Sequence, residues 1–298
     1  MAGVLILDGA MGTELARQGA DTGLPLWSAN ALLNAPDLVR QIHRQYIEAG
    51  AQVITTNTFR TNVRTLARAG MRGQVTELTC RAVTLAREAI AEASALAKHR
   101  PSPPILVAGS IAPVEDCYSP ELVPLDEGLL LQEHGELARN LAQAGCDLLL
   151  IETMNTVLEA SAATHAAAAT GLPVWVSLML GPDNHLLGGE SLSDALLVVL
   201  PYRPQALLLN CLPVSQVTSA LTLLSRILRE MAHAPVYGAY ANAGHVGPAG
   251  WSMDHGVTPH EYTCAAREWA AMGAGIIGGC CGTTPEHIRA LATQFIHE

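Results

Sequence analysis

A chain of 298 residues suits one large domain or two small ones, and it is long enough to bury a substantial core. With 17 basic against 27 acidic residues the net charge is -10, and no Lys/Arg run offers a footprint for a phosphate backbone, so nucleic acid is excluded as the expected partner. A content of 49% hydrophobic and 15% charged residues, with 26 glycines and 17 prolines, excludes disorder and fits a globular protein with many tight connections.

Short β-rich runs alternate along the chain with longer amphipathic stretches. Eight such runs are read at 4–7, 53–56, 105–108, 148–151, 174–178, 206–209, 236–239 and 275–277. Eight strand-plus-helix units of about 37 residues each fit a (β/α)8 TIM barrel with modest loop insertions. One α/β domain over residues 1–298 is therefore expected, with no linker inside it. The rival, a doubly wound open sheet, would want a Gly-x-Gly-x-x-Gly turn after an early strand, and Gly9-Ala10-Met11-Gly12 does not supply it. No phosphate-binding Gly-x-x-x-x-Gly-Lys-Ser/Thr sequence is present either.

The predicted helices share a local grammar. Gly50, Gly145 and Gly273 each stand where an amphipathic helix ends just before a strand, a position that wants a left-handed backbone. The first of these helices opens at 34–37 and repeats Leu38, Ile42, Tyr46 and Ile47 at helical spacing, so His43 on it is read as part of the scaffold. The stretches 76–96 and 161–169 read as further members of an outer helical ring. The N-terminus lacks the basic region of a signal peptide and meets Asp8 early, while apolar runs such as 195–200 are far shorter than the roughly 20 residues of a membrane span. A cytoplasmic location and no membrane partner are expected.

Seven cysteines, an odd number without a secretory signal, argue against a disulfide framework and in favour of thiol chemistry or a metal. Cys80, Cys146 and Cys264 lie in or beside helices and are read as buried packing; Cys117, in an irregular loop, stays open between packing and a place near a site. Cys280 and Cys281 differ from these, because they sit between Gly278-Gly279 and Gly282 at a junction of strand and helix. The helix start there is read either as a capping box of Thr283 with Glu286 or as Thr284 capping before Pro285.

Polar residues gather just beyond the predicted strands: Asp8 after the first, Thr56 and Asn57 after the second, Ser110 after the third and Glu152 after the fourth. Asn210-Cys211 follows the sixth, Asn242 the seventh and Cys280-Cys281 the eighth. In a parallel barrel those positions share one rim and line one cavity. Strands six and eight lie about 10 Å apart, within reach of inward-leaning side chains. The flanking glycines are expected to bend the chain until both adjacent sulfurs converge with Cys211. Three thiolates favour Zn2+ and leave one tetrahedral position open, the pattern of a catalytic zinc site. Two buried free cysteines are the plainer alternative.

Taken together, Leu7-Asp8-Gly9-Ala10-Met11-Gly12-Thr13-Glu14-Leu15, Leu26-Trp27-Ser28-Ala29, Thr56-Asn57-Thr58-Phe59, Gly109-Ser110-Ile111-Ala112-Pro113, Ile151-Glu152-Thr153, Asn210-Cys211, Tyr240-Ala241-Asn242-Ala243-Gly244 and Gly278-Gly279-Cys280-Cys281-Gly282 make nearly the whole chain resemble the zinc-dependent homocysteine S-methyltransferase family. The resemblance implies Cys211, Cys280 and Cys281 as zinc ligands and catalytic residues, with Asp8 and Glu152 meeting the ammonium of L-homocysteine. It also places Thr56 and Asn57 along the amino-acid pocket. It implies methyl transfer from a small donor to homocysteine, and the length favours the S-methylmethionine or S-adenosylmethionine users. Three alternatives stand beside this: a betaine-dependent enzyme, a corrinoid-linked thiol or selenol methyltransferase, and a non-catalytic zinc-binding barrel. The chain departs from the family at Ala112-Pro113-Val114-Glu115-Asp116-Cys117-Tyr118, on the donor side, where Glu115 and Asp116 are read as solvated.

Overall fold

All eight β-rich runs pair into one parallel sheet. The computed structural model describes residues 3–96, 104–231, 233–247, 250–252 and 256–296. The strands are β1 (Leu5–Ile6), β2 (Val53–Thr55), β3 (Leu106–Ile111), β4 (Leu148–Met154), β5 (Val174–Leu178), β6 (Ala206–Pro213), β7 (Val236–Asn242) and β8 (Ile276–Gly279). They lie in the order β1-β8-β7-β6-β5-β4-β3-β2. The two ends of that order meet through a parallel bridge between Leu7 and Val53, where Asp8 N donates to Val53 O at 3.0 Å and Gln52 N to Ile6 O at 2.8 Å. The sheet thus closes on itself, which removes the exposed edge that an open sheet would present. With helices packed between successive strands, this is the expected (β/α)8 barrel.

Side-chain alternation separates two cores. On β4, Leu148 and Leu150 face the barrel interior with Ala108, Trp175, Ala206 and Leu208, whereas Leu149 and Ile151 pack outward against the helices. The same parity carried two residues further turns Ser110 on β3, Glu152 on β4 and Tyr240 on β7 inward. The interior is therefore apolar below and polar at the C-terminal end of the strands.

The helical ring follows the sequence closely. Helix Pro36–Ala49 starts on a proline, buries Ile42, His43 and Tyr46, and stops at Gly50 with φ 106°. Gly145 and Gly273 likewise take φ 94° and 105°. The stretches read at 76–96 and 161–169 are helices Val75–Leu96 and Val157–Ala168. His43 is buried with neither ring nitrogen hydrogen-bonded among the described residues, and burial pushes its pKa down to about 4, so it is a neutral scaffold residue.

Two sequence expectations need correction. Cys264 is exposed on helix Pro259–Ala271 and Cys80 is half-buried, because each falls off the inner face of its helix; Cys146 is buried as expected. An antiparallel ribbon of strands His245–Gly247 and Gly250–Ser252 after β7 was not anticipated from the sequence. Among the described residues, no helix is long and apolar enough to cross a membrane.

Candidate active site

A cavity of about 430 Å³ opens at the C-terminal ends of the strands. Asp8, Thr56, Asn57, Ser110, Glu152, Cys211, Tyr240, Cys280 and Cys281 all line it, so seven of the eight strands contribute, whereas Asn210 and Asn242, expected on the same rim, turn to Thr153 and to the Cys211 carbonyl instead. Aromatic rings of Trp27, Phe59 and Tyr118 close it from the loop side.

The three thiols converge: one sulfur from each of Cys211, Cys280 and Cys281 lies within 4.8 Å of the others, and the Cys211 and Cys280 sulfurs are 3.0 Å apart. The means of convergence differ from those expected. Gly278 and Gly279 do not bend the chain; they lie in β8, where an added Cβ would meet Leu7 Cβ at 2.6 Å and Thr283 Oγ1 at 2.3 Å respectively. Their role is to let β8 pass close to β1 and to the following turn. Only Gly282, φ 83°, takes a left-handed backbone. The other half of the convergence comes from Cys211. By strand parity it would point outward after Asn210, but its φ of 57° and the register shift in the β6–β7 pairing turn it to the cavity. Asn242 Nδ2 donates to Cys211 O at 2.9 Å and secures that bend.

The turn is tied down on both sides. Thr283 Oγ1 donates to Cys280 O at 2.8 Å and accepts from Ala10 N at 3.2 Å, while Gly282 N donates to Thr13 Oγ1 at 2.9 Å. Thr283 therefore serves the cysteine turn and forms no capping box. The helix Pro285–Ile296 starts on proline after Thr284, whose hydroxyl and backbone N both meet His287 Nδ1. Hydrogen bonds from Cys211 and Cys281 hold the Cys280 thiol well below the ordinary thiol range, so the cluster concentrates negative charge on one sulfur.

Two buried carboxylates face the same space. Asp8 accepts from Thr55 N at 2.8 Å and from Thr55 Oγ1 at 2.9 Å. Glu152 accepts from the Ser110 hydroxyl and, at 3.2 Å, from Tyr240 OH. Burial raises both: Asp8 to about 8, opposed by the Thr55 bonds, and Glu152 to about 7, opposed by Ser110. Glu152 sits where the β4–β5 pairing shifts register, and the next residue, Thr153, has φ 63°. Asn210 clamps that irregular turn by accepting from Thr153 N at 3.0 Å and donating to Thr153 Oγ1 at 2.8 Å.

Thr56 and Asn57 both reach the wall, Thr56 with its hydroxyl already engaged and Asn57 with its Nδ2 committed to the backbone. Ser110 N donates to Thr56 Oγ1 at 3.0 Å, Thr56 and Thr58 hydroxyls meet at 2.8 Å, and Thr58 Oγ1 donates to Ser110 O at 2.7 Å. Thr58 spends its only proton on that carbonyl, so Thr56 must donate to Thr58. Asn57 Nδ2 donates to Ser28 O at 2.9 Å and fastens the segment carrying Trp27.

The loop after β3 is where sequence reasoning missed most. Glu115 is not solvated: it is buried and paired with Arg64 at 3.3 Å and Arg68 at 2.7 Å. Cys117 is buried on the cavity wall, with Asn155 Nδ2 donating to its carbonyl at 2.8 Å. Arg60, passed over in the sequence, also lines the cavity. A single charged residue following Phe59 in a loop carries no spacing signal that would have singled it out.

Comparison with known proteins agrees with this geometry. The model of the family described as homocysteine S-methyltransferase matches residues 5–295. A homocysteine S-methyltransferase from Escherichia coli (strain K12) is 33% identical, covering 98% of this chain and 95% of the relative. A selenocysteine methyltransferase from Astragalus bisulcatus is 30% identical, over 96% of this chain and 90% of the relative. The crystal structure of the metallated form of the homocysteine methyltransferase MmuM from Escherichia coli superposes with a TM-score of 0.83 at 30% identity, covering 98% of this chain and 96% of that one. On fold, rim pattern and these matches together, the chain belongs to the homocysteine S-methyltransferase family.

Proposed function

We propose that this protein transfers a methyl group from a sulfonium donor to the thiol of L-homocysteine, giving methionine, with a zinc ion held by Cys211, Cys280 and Cys281. The observation that carries the reading is the convergence of three thiols and two buried carboxylates on one cavity in a chain of this family. The donor set fits zinc: three soft sulfurs lie within 4.8 Å of one another, and Arg60, the one basic side chain lining the cavity among the described residues, pairs with Asp116. A zinc ion bound there supplies the Lewis acidity that lets a substrate thiol lose its proton at neutral pH.

The chain's own groups bind and aim the reactants. Asp8 and Glu152 are acidic groups short of counter-charge, and an α-ammonium arriving between them restores the ionisation that burial opposes. Thr55, Ser110 and Tyr240 hold the two carboxylates in place, so the amino acid is held at its ammonium end with its sulfur directed to the thiol cluster. Thr56, whose hydroxyl is engaged by Ser110 N and Thr58, shapes that pocket, and Asn57 fixes its wall through Ser28 O. The homocysteine sulfur then forms a bond to the methyl carbon as the donor's carbon–sulfonium bond breaks. The bonding pair stays on the departing sulfide, and no enzyme adduct is needed.

A volume of about 430 Å³ is near the small end of ligand cavities, which favours S-methylmethionine over the bulkier S-adenosylmethionine. Tyr118, Phe59 and Trp27, the last two edge-to-face with centroids 5.6 Å apart, offer aromatic surface to a sulfonium. A second reading, with a selenol as acceptor, draws on the selenocysteine methyltransferase relative and uses the same groups. The test is a panel of zinc-loaded protein and homocysteine with S-methylmethionine, S-adenosylmethionine, betaine or methylfolate, and selenocysteine as rival acceptor, scored by mass spectrometry of the methylated product. Methionine from S-methylmethionine is expected; product from betaine or methylfolate alone would overturn the donor class.

A further inference from the structure

Arg60 is the only basic side chain lining the cavity among the described residues, and the reaction described above gives it no task. Its side chain is 10% exposed, yet it is poorly supplied with partners. Nη2 reaches Asp116 Oδ2 at 3.3 Å and Nη1 reaches Glu115 O at 3.5 Å, both long contacts, and Nε has no hydrogen-bond partner among the described residues. A guanidinium offers five N–H donors, and burying one with so few acceptors is costly.

The surroundings do not supply what is missing. The Glu115 carboxylate, one residue from Asp116, is already engaged by Arg64 and Arg68. Asp116 also accepts from Tyr118 N at 2.8 Å, and its side chain is 42% exposed, so it is a half-solvated partner. The Phe59 ring lies 5.9 Å from the guanidinium carbon and offers a face but no acceptor. A planar anion entering from the cavity would complete the fork of donors, and a carboxylate has the matching geometry.

Homocysteine and the donor both carry carboxylates. That of homocysteine sits on the same carbon as its ammonium and so stays with Asp8 and Glu152, whose partners Thr55, Ser110 and Tyr240 are borne on the strands themselves. Arg60 and Asp116 belong instead to the loops beyond β2 and β3, where Tyr118 at 44% exposure marks the way to solvent. A cation and an acid side by side suit a molecule that carries both charges on one carbon.

We infer that Arg60 and Asp116 form a receptor for the α-carboxylate and α-ammonium of the methyl donor, which makes the preferred donor an amino-acid sulfonium. The inference rests on the proposed methyl transfer for its donor and acceptor sides. It separates S-methylmethionine, which has both groups, from dimethylsulfoniopropionate, which has the sulfonium and the carboxylate but no ammonium.

The test measures KM for both donors and for homocysteine with the zinc-loaded wild type, Arg60→Gln, Arg60→Lys and Asp116→Asn. Equilibrium dialysis of labelled S-methylmethionine without homocysteine is run alongside, and thermal melts show which variants fold. Arg60→Gln is expected to raise KM for both donors by about 10- to 100-fold, the loss of a charge-assisted carboxylate contact, with KM for homocysteine within about twofold. Arg60→Lys should recover part of that loss. Asp116→Asn should raise KM for S-methylmethionine by about tenfold and leave dimethylsulfoniopropionate unchanged. If methionine forms but Arg60→Gln leaves donor KM and donor binding unchanged, or shifts KM for homocysteine instead, the receptor is wrong and the reaction stands. If no donor is turned over while S-methylmethionine binding still depends on Arg60, the reaction is wrong and the receptor stands. Absence of both binding and turnover overturns both.

Discussion

The two walls of the cavity are built by different means. From β6 to β8 the wall is made by backbone: a register shift, the left-handed Cys211 and the close, glycine-spaced pairing of β8 alongside β1 bring three sulfurs together, with hydrogen bonds to Asn242, Thr13 and Thr283 as supports. The opposite wall, in the loops after β2 and β3, is made by side-chain charge delivered from helices. Arg64 and Arg68 grip Glu115, Arg64 also pairs with Glu133 at 2.7 Å, and Glu159, 3.0 Å from His134, accepts from Val114 N at 2.8 Å. The lesson is one of division of labour. Under the proposed function, the sulfurs that would hold a metal need closely fixed positions and hang on the strand ends, whereas the wall proposed for the donor is held by loop contacts.

The strongest way to break the contrast is Cys281→Ser. Zinc content by metal analysis and methyl transfer are expected to fall together, activity by about three orders of magnitude, with the barrel still folded by circular dichroism. A metal-free variant that keeps full activity would remove the thiol wall from the chemistry altogether.

Next comes Glu115→Gln on the charged wall. Glu115 is buried beneath two arginines, of which Arg68 is half exposed, so the expected cost in denaturant unfolding is about 1–3 kcal/mol rather than the larger figure for a wholly buried pair. The donor's KM should rise while that of homocysteine and the zinc content stay put. Equal changes in both substrates would show that the walls are mechanically one.

A smaller and opposite effect is expected at Asp8. Its folded pKa of about 8 lies above the ordinary value of 3.8, because burial outweighs its bonds to Thr55. The unfolded chain releases that proton first, so between about pH 4 and pH 8 the native state binds more protons than the unfolded one and ligand-free stability falls as pH rises. Asp8→Asn abolishes this loss, and its Tm should exceed that of the wild type at pH 8 and match it near pH 4. Homocysteine binding should weaken in the same variant. A lower Tm at pH 8 would mean that the Thr55 bonds keep the carboxylate charged and stable without an ammonium.

Much of this molecule is legible in one dimension because its units are local. Eight β-rich runs, glycines at helix ends and the parity that turns Ser110, Glu152 and Tyr240 inward all depend on residues within a turn or two of one another. Cys280 and Cys281 stand out for the same reason, being set in a glycine junction between strand and helix. Gly278 and Gly279 show the limit. Their presence is visible, yet their purpose, clearance for Leu7 and Thr283, belongs to a strand pairing with residues some 270 positions away and to a turn that folds back.

What the sequence alone determined is the architecture and most of the chemical groups on the rim, since hydrophobic periodicity and strand parity act through neighbouring residues. Only the tertiary structure decided that Cys211 turns inward, that Glu115 is buried, that Thr56 has its hydroxyl engaged and that Arg60 enters the cavity. Each of those outcomes is set by contacts between separate units of the barrel, whose partners cannot be known until the sheet has closed.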